Sequence, residues 1–144
     1  MFKNIYNIAA NAMSANRQRI NTIASNIANA QTTRTPEGGP YKRRDVVFQQ
    51  TNVQEGAFRS ALDKAAVKGV RVSEVVIDDS APRQVYDPSH PDSNESGYVA
   101  YPNISPVTEM VNMVTASQSY KAAAEVVNVT KSMAQVLQRL SQRF

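Results

Sequence analysis

The sequence predicts an α+β protein with long N- and C-terminal helices around a small central β insertion. At both ends of the chain, apolar residues recur at alternating steps of four and three. The centre instead alternates apolar and polar residues between prolines and glycines. With 144 residues and a mean hydropathy of -0.42, the chain suits one small domain with helical extensions. We place the boundaries at 1–33, 34–104 and 105–144.

The first helix is predicted over roughly residues 3–31. Its heptad-spaced stripe contains Phe2, Tyr6, Ala9, Met13, Asn16, Ile20, Ile23, Ile27 and Ala30. Beyond it, Pro36 disfavours helix, and Gly38 and Gly39 predict a loop. Seven asparagines share this helix, and asparagine is a poor helix former. Two ways of packing this helix are open. An ordinary coiled coil of two helices within one subunit needs only one apolar seam, whereas polar amides on every face favour packing of the helix against neighbours on several sides.

A hairpin is predicted in the centre of the chain. Residues 69–77 alternate apolar and polar side chains, residues 78–80 favour a turn, and residues 83–86 can return as the second strand. Residues 45–48 are a candidate additional strand, while residues 57–68 fit a short helix or an irregular loop equally well. Five prolines between positions 82 and 106 predict that residues 87–103 are an extended connector, ordered by contacts and not by a β ladder.

The last helix is predicted to begin at Ser105, because a serine cap followed by Pro106 is a strong helix start. We expect it to continue to Phe144, which at 1.5 Å per residue gives a rod roughly 57 Å long. Its main stripe contains Met113, Ala116, Tyr120, Ala123, Val127, Thr130, Ala134 and Leu137. A second row beside it contains Ala122, Val126, Val129, Met133, Val136 and Leu140.

The residues that could carry chemistry do not form a site in the sequence. The only histidine, His90, lies between two aspartates, but a proline-kinked strand does not bring three such ligands together, so a turn-forming or hydrogen-bonding role is favoured. Asp78 and Asp79 resemble an acid/base pair, yet adjacent residues in a turn are usually solvated. Gly38 and Gly39 lack the lysine of a phosphate loop. We therefore predict no enzyme and no catalytic, cofactor-binding or metal-binding residue.

The charge distribution argues against a nucleic-acid partner. The net charge is +4, but the bases are dispersed, and the one cluster at residues 42–44 most simply solvates a strand entry. Residues 1–36 hold four bases and no acid, while residues 84–120 hold four acids and no base, so the two segments are complementary. The chain has no cysteine, which leaves the redox compartment open. No apolar run approaches the roughly 18 residues of a membrane helix, and no cleaved signal peptide is expected.

Three segments resemble bacterial flagellar axial proteins. Residues 23–30 carry the sequence IASNIANA, and the threonine-rich insertion that follows to residue 44 points to the proximal-rod branch. Residues 87–103 form a second match, specific to that branch. The third match, over residues 109–133, is shared in looser form by other rod and hook proteins. Residues 49–68 match no motif.

The resemblance implies that the N- and C-terminal helices pair as a coiled-coil-like axial domain around the central β insertion. It also implies a structural subunit of the flagellar basal-body rod that self- and co-assembles through its terminal helices to transmit motor torque. It implies unfolded export through the flagellar type III apparatus without signal cleavage, with the export signal in the first helix and its loop. The rod would cross the periplasm with peptidoglycan nearby. Expected partners are other rod proteins and the export-gate adaptor ring protein, without nucleic acid or membrane insertion.

The same resemblance assigns roles to individual residues. Axial packing is assigned to Ile20, Ile23, Ile27, Tyr120, Val127 and Leu137. Contacts with neighbouring subunits are assigned to the connector residues Asp87, His90, Asp92, Tyr98 and Tyr101. We expect Ile23 to be buried only once subunits pack. The alternative of another class is a cytosolic helical adaptor or chaperone that binds secretion cargo through the same stripes.

Overall fold

The computed structural model describes residues 2–52 and 68–141. In chain order the elements are α1 Phe2–Ala28, β1 Arg44–Asn52, β2 Lys68–Ile77, β3 Arg83–Tyr86, β4 Tyr98–Tyr101 and α2 Pro106–Ser141. The predicted α+β class, with long terminal helices around a small β insertion, is confirmed. Residues 57–68 are predicted as either a short helix or a loop, and residues 57–67 of this segment lie outside the described residues. Residues 142–144, the predicted end of the last helix, also lie outside them.

The two helices pack against each other in antiparallel orientation. Asn26, near the end of α1, contacts Glu109 in the first turn of α2. Near the other end of the pair, Ile5 lines the same groove as Val126 and Thr130. The last two turns of α2, residues 134–141, therefore extend past Phe2 by roughly 12 Å. Neither helix, over the ranges that the structure describes, has an apolar stretch long enough to cross a membrane.

The seam between the helices is built from small side chains. In α2 the buried residues recur every seven positions, at Glu109, Ala116, Ala123 and Thr130. In α1 the buried residues are Ala9, Ala15, Ile23 and Asn26. Small side chains at such positions let two helix axes approach closely. The predicted stripes are confirmed as this seam, because every described member is buried or half-buried except Leu137, which is 50% exposed.

The expectation that Ile23 is buried only after subunits pack is wrong. Its side chain is 5% exposed within the single chain. The physical reason is that α1 contacts α2, β1 and β2 in the same subunit, so the seam is covered before any neighbour arrives. Ile23 therefore belongs to the core of the monomer.

The strands of the described residues form two separate two-stranded antiparallel sheets. β1 pairs with β2 from Arg44 opposite Ile77 to Asn52 opposite Lys68, with a register shift after Val47. β3 pairs with β4 from Arg83 opposite Tyr101 to Tyr86 opposite Tyr98. The candidate strand at residues 45–48 is confirmed as part of the longer β1.

Two predictions about the insertion are wrong. Residues 69–77 do not pair with residues 83–86, because β2 pairs with the preceding β1. The connector is also not free of ladders, since residues 98–101 form β4. Its prolines flank this strand without interrupting it. Gly97 enters the strand at φ +79°, where an added Cβ would lie 2.9 Å from the Tyr86 ring, so the turn requires glycine.

Candidate assembly interface

One face of α2 is apolar and exposed. Six of its side chains toward the C-terminal end are between 46% and 56% exposed. We call them the exposed α2 face: Val126, Val129, Met133, Val136, Leu137 and Leu140. Five of the six belong to the second row predicted from the sequence, and the seam row beside them packs on α1. Four more exposed apolar residues lie near the start of the helix, at Val107, Met110, Val111 and Val114.

The exposed α2 face carries an open groove of about 430 Å³, formed by α2 alone. Its lining is mainly apolar and consists of Val129, Met133, Val136 and Leu137 with the polar residues Glu125, Asn128 and Ser132. A second groove of about 480 Å³ adjoins it where Ile5 of α1 meets Val129. A contiguous apolar surface on one subunit is typical of a site that binds another protein.

A buried polar cluster joins α1, α2 and the start of β1, and we call it the Asn26 cluster. Asn26 is fully buried, and its Nδ2 donates to the Arg44 carbonyl at 2.7 Å and to Glu109 Oε2 at 3.1 Å. Its Oδ1 accepts from the Arg44 amide at 3.0 Å and from the Tyr41 hydroxyl at 3.2 Å. Glu109 is 1% exposed and accepts from Arg43 Nε at 3.0 Å. The amide of Asn26 is therefore fully used.

Arg43 provides the positive charge of the Asn26 cluster. Burial by itself lowers its pKa, but hydrogen bonding and charge attraction to Glu109, and then to Asp45, raise that pKa above its ordinary value. The guanidinium is thus held firmly in its charged form beside a buried carboxylate. The prediction that residues 42–44 only solvate a strand entry is wrong for Arg43, whereas Lys42 pairs at 2.6 Å with the exposed Asp79.

The acidic residues of the predicted turn have local partners. The carboxylate of Asp78 accepts from the Ser80 hydroxyl and, at 2.9 Å, from the Ser80 amide. The Ser80 side chain and then its amide hold the pKa of Asp78 below its ordinary value. The contact is local, but residues 78–82 form no turn and join β2 to β3 without a hairpin, so the predicted turn at residues 78–80 is wrong. No group of three or more potential metal ligands occurs among the described residues.

The connector residues assigned to subunit contacts also contact their own chain. Asp92 accepts from the Thr33 hydroxyl at 2.8 Å and lies 3.9 Å from Arg34 Nη1, which realises the predicted charge complementarity at one pair. The other four make local contacts: His90 accepts from the Asp92 amide and packs edge-on to Tyr101, Tyr98 packs edge-on to Tyr86, and Asp87 accepts from Ser89. The hydrogen-bonding role of His90 is confirmed. Contacts with a neighbouring subunit stay a prediction.

The residues assigned to axial packing divide between two surfaces. Five lie in the intrachain seam, where Ile23 is buried and Ile20, Ile27, Tyr120 and Val127 are half-buried. Leu137 lies on the exposed α2 face. Sequence reasoning missed the Asn26 cluster. Its one visible signal is that Glu109 precedes Ala116 and Ala123 at heptad spacing, which places a carboxylate on the apolar stripe.

Comparisons with known proteins match both ends of the chain and then most of its length. Residues 7–34 match the family described as flagella basal body rod protein, and residues 95–140 match the flagellar basal body rod FlgEFG protein C-terminal family. FlgC of Escherichia coli O6:H1 is 43% identical over 130 residues, which cover 90% of each chain. FlgC of Borreliella burgdorferi is 42% identical over 135 residues, covering 88% of this chain and 89% of the relative. FlgC of Salmonella typhimurium is 41% identical over 130 residues, covering 90% of each chain.

Proposed function

Since the chain belongs to the FlgC family of flagellar basal-body rod proteins, we propose that it joins its neighbours in the rod through the exposed α2 face. The protein is a structural component of the rod, serves motility and is not an enzyme. The reported relatives are rod proteins, which gives no support to the alternative of a cytosolic adaptor or chaperone.

The exposure of the α2 face is the observation that supports this interface. Complete burial of a Val, Leu or Met side chain stabilises by about 1.5 to 3 kcal/mol, so burying the remaining half of six such side chains contributes about 6 kcal/mol per subunit. The entropy lost when subunits and side chains become ordered reduces this free energy of burial, but the remaining stabilisation recurs in every subunit of an assembly. In this proposal Leu137 contacts the neighbouring subunit directly. The seam residues contribute indirectly by holding α2 on α1, and they are Ile20, Ile23, Ile27, Tyr120 and Val127.

The insertion takes the outer position in this proposal. Residues 1–33 and 105–144 form the axial domain, and residues 34–104 contact neighbouring subunits through Asp87, His90, Asp92, Tyr98 and Tyr101. The exposed pair of Tyr86 and Tyr98 supports this role, because aromatic side chains are enriched at protein interfaces. Self- and co-assembly through the helices would transmit torque along the rod.

The finer expectations about export and location rest on the family resemblance. They are delivery by the flagellar type III apparatus without signal cleavage, a place in the part of the rod that crosses the periplasm near peptidoglycan, and contacts with other rod proteins and the export-gate adaptor ring protein. Mass spectrometry of the subunit from purified basal bodies tests whether a signal is cleaved during export, and we expect to detect the uncleaved N-terminal peptide.

The decisive experiment for the interface is Val136→Asp. The substitution places a carboxylate on the exposed α2 face but not in the seam, so the purified chain should melt like the wild type. In an assembled interface the unpaired charge costs several kcal/mol, so swimming and recovery of the protein in basal bodies should be lost. Gln135→Asp is the matched control, because it adds the same charge at the adjacent exposed position outside the groove lining. Normal swimming of Val136→Asp would exclude this face as the interface.

A further inference from the structure

The apolar seam alone distinguishes poorly between alignments of the two helices. The buried positions of α2 recur every seven residues, and after Glu109 they are Ala116, Ala123 and Thr130, all small. If α2 slid by seven residues along α1, Ala116, Ala123 and Thr130 would take the places of Glu109, Ala116 and Ala123, and only at the last position would a larger side chain, Leu137, replace Thr130. A repeating stripe of this kind permits neighbouring registers of similar energy unless a polar residue selects one.

The Asn26 cluster breaks this repetition at one end. Asn26 and Glu109 are 0% and 1% exposed and hydrogen-bond each other at 3.1 Å across the helix pair. A slide of seven residues would bring Ala116 opposite Asn26, which would leave the amide without its acceptor and separate Glu109 from its two partners. Buried polar groups without partners are strongly destabilising.

We propose that the contact between Asn26 and Glu109, braced by Arg43, is the register lock of the helix pair. It selects one alignment of α2 on α1 and thereby sets how far residues 134–141 extend past α1. The consequence for assembly rests on the proposed function, because those residues carry part of the exposed α2 face.

The same cluster couples the helix register to the insertion. Both the amide and the carbonyl of Arg44, the first residue of β1, bond the Asn26 side chain. Arg43, one residue earlier, bonds Glu109. A shift of α2 would therefore break the contact that ties β1 to both helices. The competing determinant of register is the covalent connection, since the buried Pro102 between β4 and α2 also restrains the start of α2.

The absence of cysteine from the sequence allows the register to be read by engineered disulfides without background. Ile5→Cys with Val126→Cys reports the native alignment, because both side chains line one groove. Ile5→Cys with Met133→Cys reports a shift of seven residues, since Met133 then takes the place of Val126. In the purified full-length chain we expect the native pair to form its intramolecular disulfide in roughly tenfold excess over the shifted pair.

Two variants separate the lock from the covalent connection. Asn26→Ala with Glu109→Ala removes the polar contact, so the yields of the two disulfides should become about equal. Glu109→Ala with Ala116→Glu moves the carboxylate by one heptad, so the shifted disulfide should predominate. Thr130→Ala is the control, because its hydroxyl donates to the Val126 carbonyl of its own helix at 2.7 Å and the native preference should persist.

Each remaining result overturns the proposal. Retention of the native disulfide in both variants would show that the connection at Pro102 sets the register. Loss of helical circular dichroism in both, with the Thr130→Ala control folded, would show that the cluster supplies stability and not register. The assay uses the isolated chain and Val136→Asp uses the living cell, so failure of the lock and failure of the assembly interface are distinguishable.

Discussion

Asparagines of α1 and of the turn that follows it have different energetic roles at the residue scale. Nδ2 of Asn16 donates to the Ala12 carbonyl at 2.9 Å, and Nδ2 of Asn29 donates to the Ser25 carbonyl at 2.9 Å, both within the same segment of chain. The amide of Asn26 instead reaches α2, β1 and the loop before β1. Side-chain bonds to the preceding turn compete weakly with the helix, whereas a buried bond between elements holds the tertiary structure together.

Asn26→Ala should destabilise the chain much more than Asn16→Ala does. Removing the Asn26 amide leaves several buried polar groups without a partner, which costs about 3 kcal/mol. At Asn16 the lost bond is local, and alanine is the better helix former, so the change should stay within about 0.5 kcal/mol of zero. Urea unfolding of the two full-length variants measures the difference. Equal effects would contradict the bridging role of Asn26.

The turn at Asp87 should weaken in acid. Its carboxylate accepts from the Ser89 hydroxyl at 2.6 Å, and this bond holds the pKa of Asp87 below its ordinary value of 3.8. Because the folded pKa lies below the unfolded one, the carboxylate stabilises the turn above the unfolded pKa, and this contribution is lost as the pH falls through the folded pKa.

The Ser89→Ala substitution tests this account of the turn. It should raise the pKa of Asp87 toward 3.8, as measured by NMR titration of the carboxyl group. Ser119→Ala, whose hydroxyl bonds within α2, is the control and should leave that pKa in place. An unchanged pKa in Ser89→Ala would assign the shift to another cause.

At the scale of elements, α2 has a buried face and an exposed apolar face. Its heptad row packs on α1, and the neighbouring apolar row is exposed. Its last two turns extend past α1, and of their stripe residues Ala134 is half-buried whereas Leu137 is exposed. Under the proposed function, stability of the monomer and assembly of the rod therefore depend on different residues of one helix.

Deletion of residues 137–144 should leave the monomer stable and prevent incorporation into the rod. Leu137 and Leu140 are about half-exposed and lie beyond α1, so their removal should scarcely change the unfolding midpoint. The first helix and its loop are untouched, so secretion should continue. Immunoblots of culture medium and of purified basal bodies measure the two fractions. Deletion of residues 142–144 alone removes no member of the exposed α2 face and should preserve swimming, whereas normal swimming of the longer deletion would contradict the assignment.

At the scale of the whole molecule, the subunit exposes much more surface than a compact monomer. Its accessible surface is 10554 Å², against about 7300 Å² for a globular protein of 15.8 kDa. The buried hydrophobic residues among those described are mostly alanines, joined by Ile23 and Val99. Such a thin core gives a small stability, so the isolated chain should gain much of its order from neighbours.

Amide hydrogen exchange of the isolated chain should therefore show a gradient. We expect the slowest exchange near the Asn26 cluster, at residues 23–26 and 109–116, and the fastest at residues 134–141, at the end of α2. In purified basal bodies the fast end should become protected. Equal protection along residues 5–30 and 108–140 in a confirmed monomer would refute this distribution of stability.

The sequence by itself determined the elements and their faces. Heptad spacing identified both helices and their seam residues, proline and glycine marked the end of the first helix and the start of the last, and alternation located β2, because these signals arise from residues within a few positions of one another. Of β1, only residues 45–48 were a candidate strand. The three motifs also led to the correct family. None of these signals contains the energy of a contact between distant segments.

Only the tertiary structure decided which elements become partners. It paired β2 with β1 and β3 with β4, and it buried Ile23 inside one subunit. It also joined Arg43 to Glu109 across 66 positions of sequence, and Asn26 to Glu109 across 83. The physical reason is that a local pattern specifies which side of an element is buried, whereas the partner that covers it is selected by the fit and polar satisfaction of the whole packed chain.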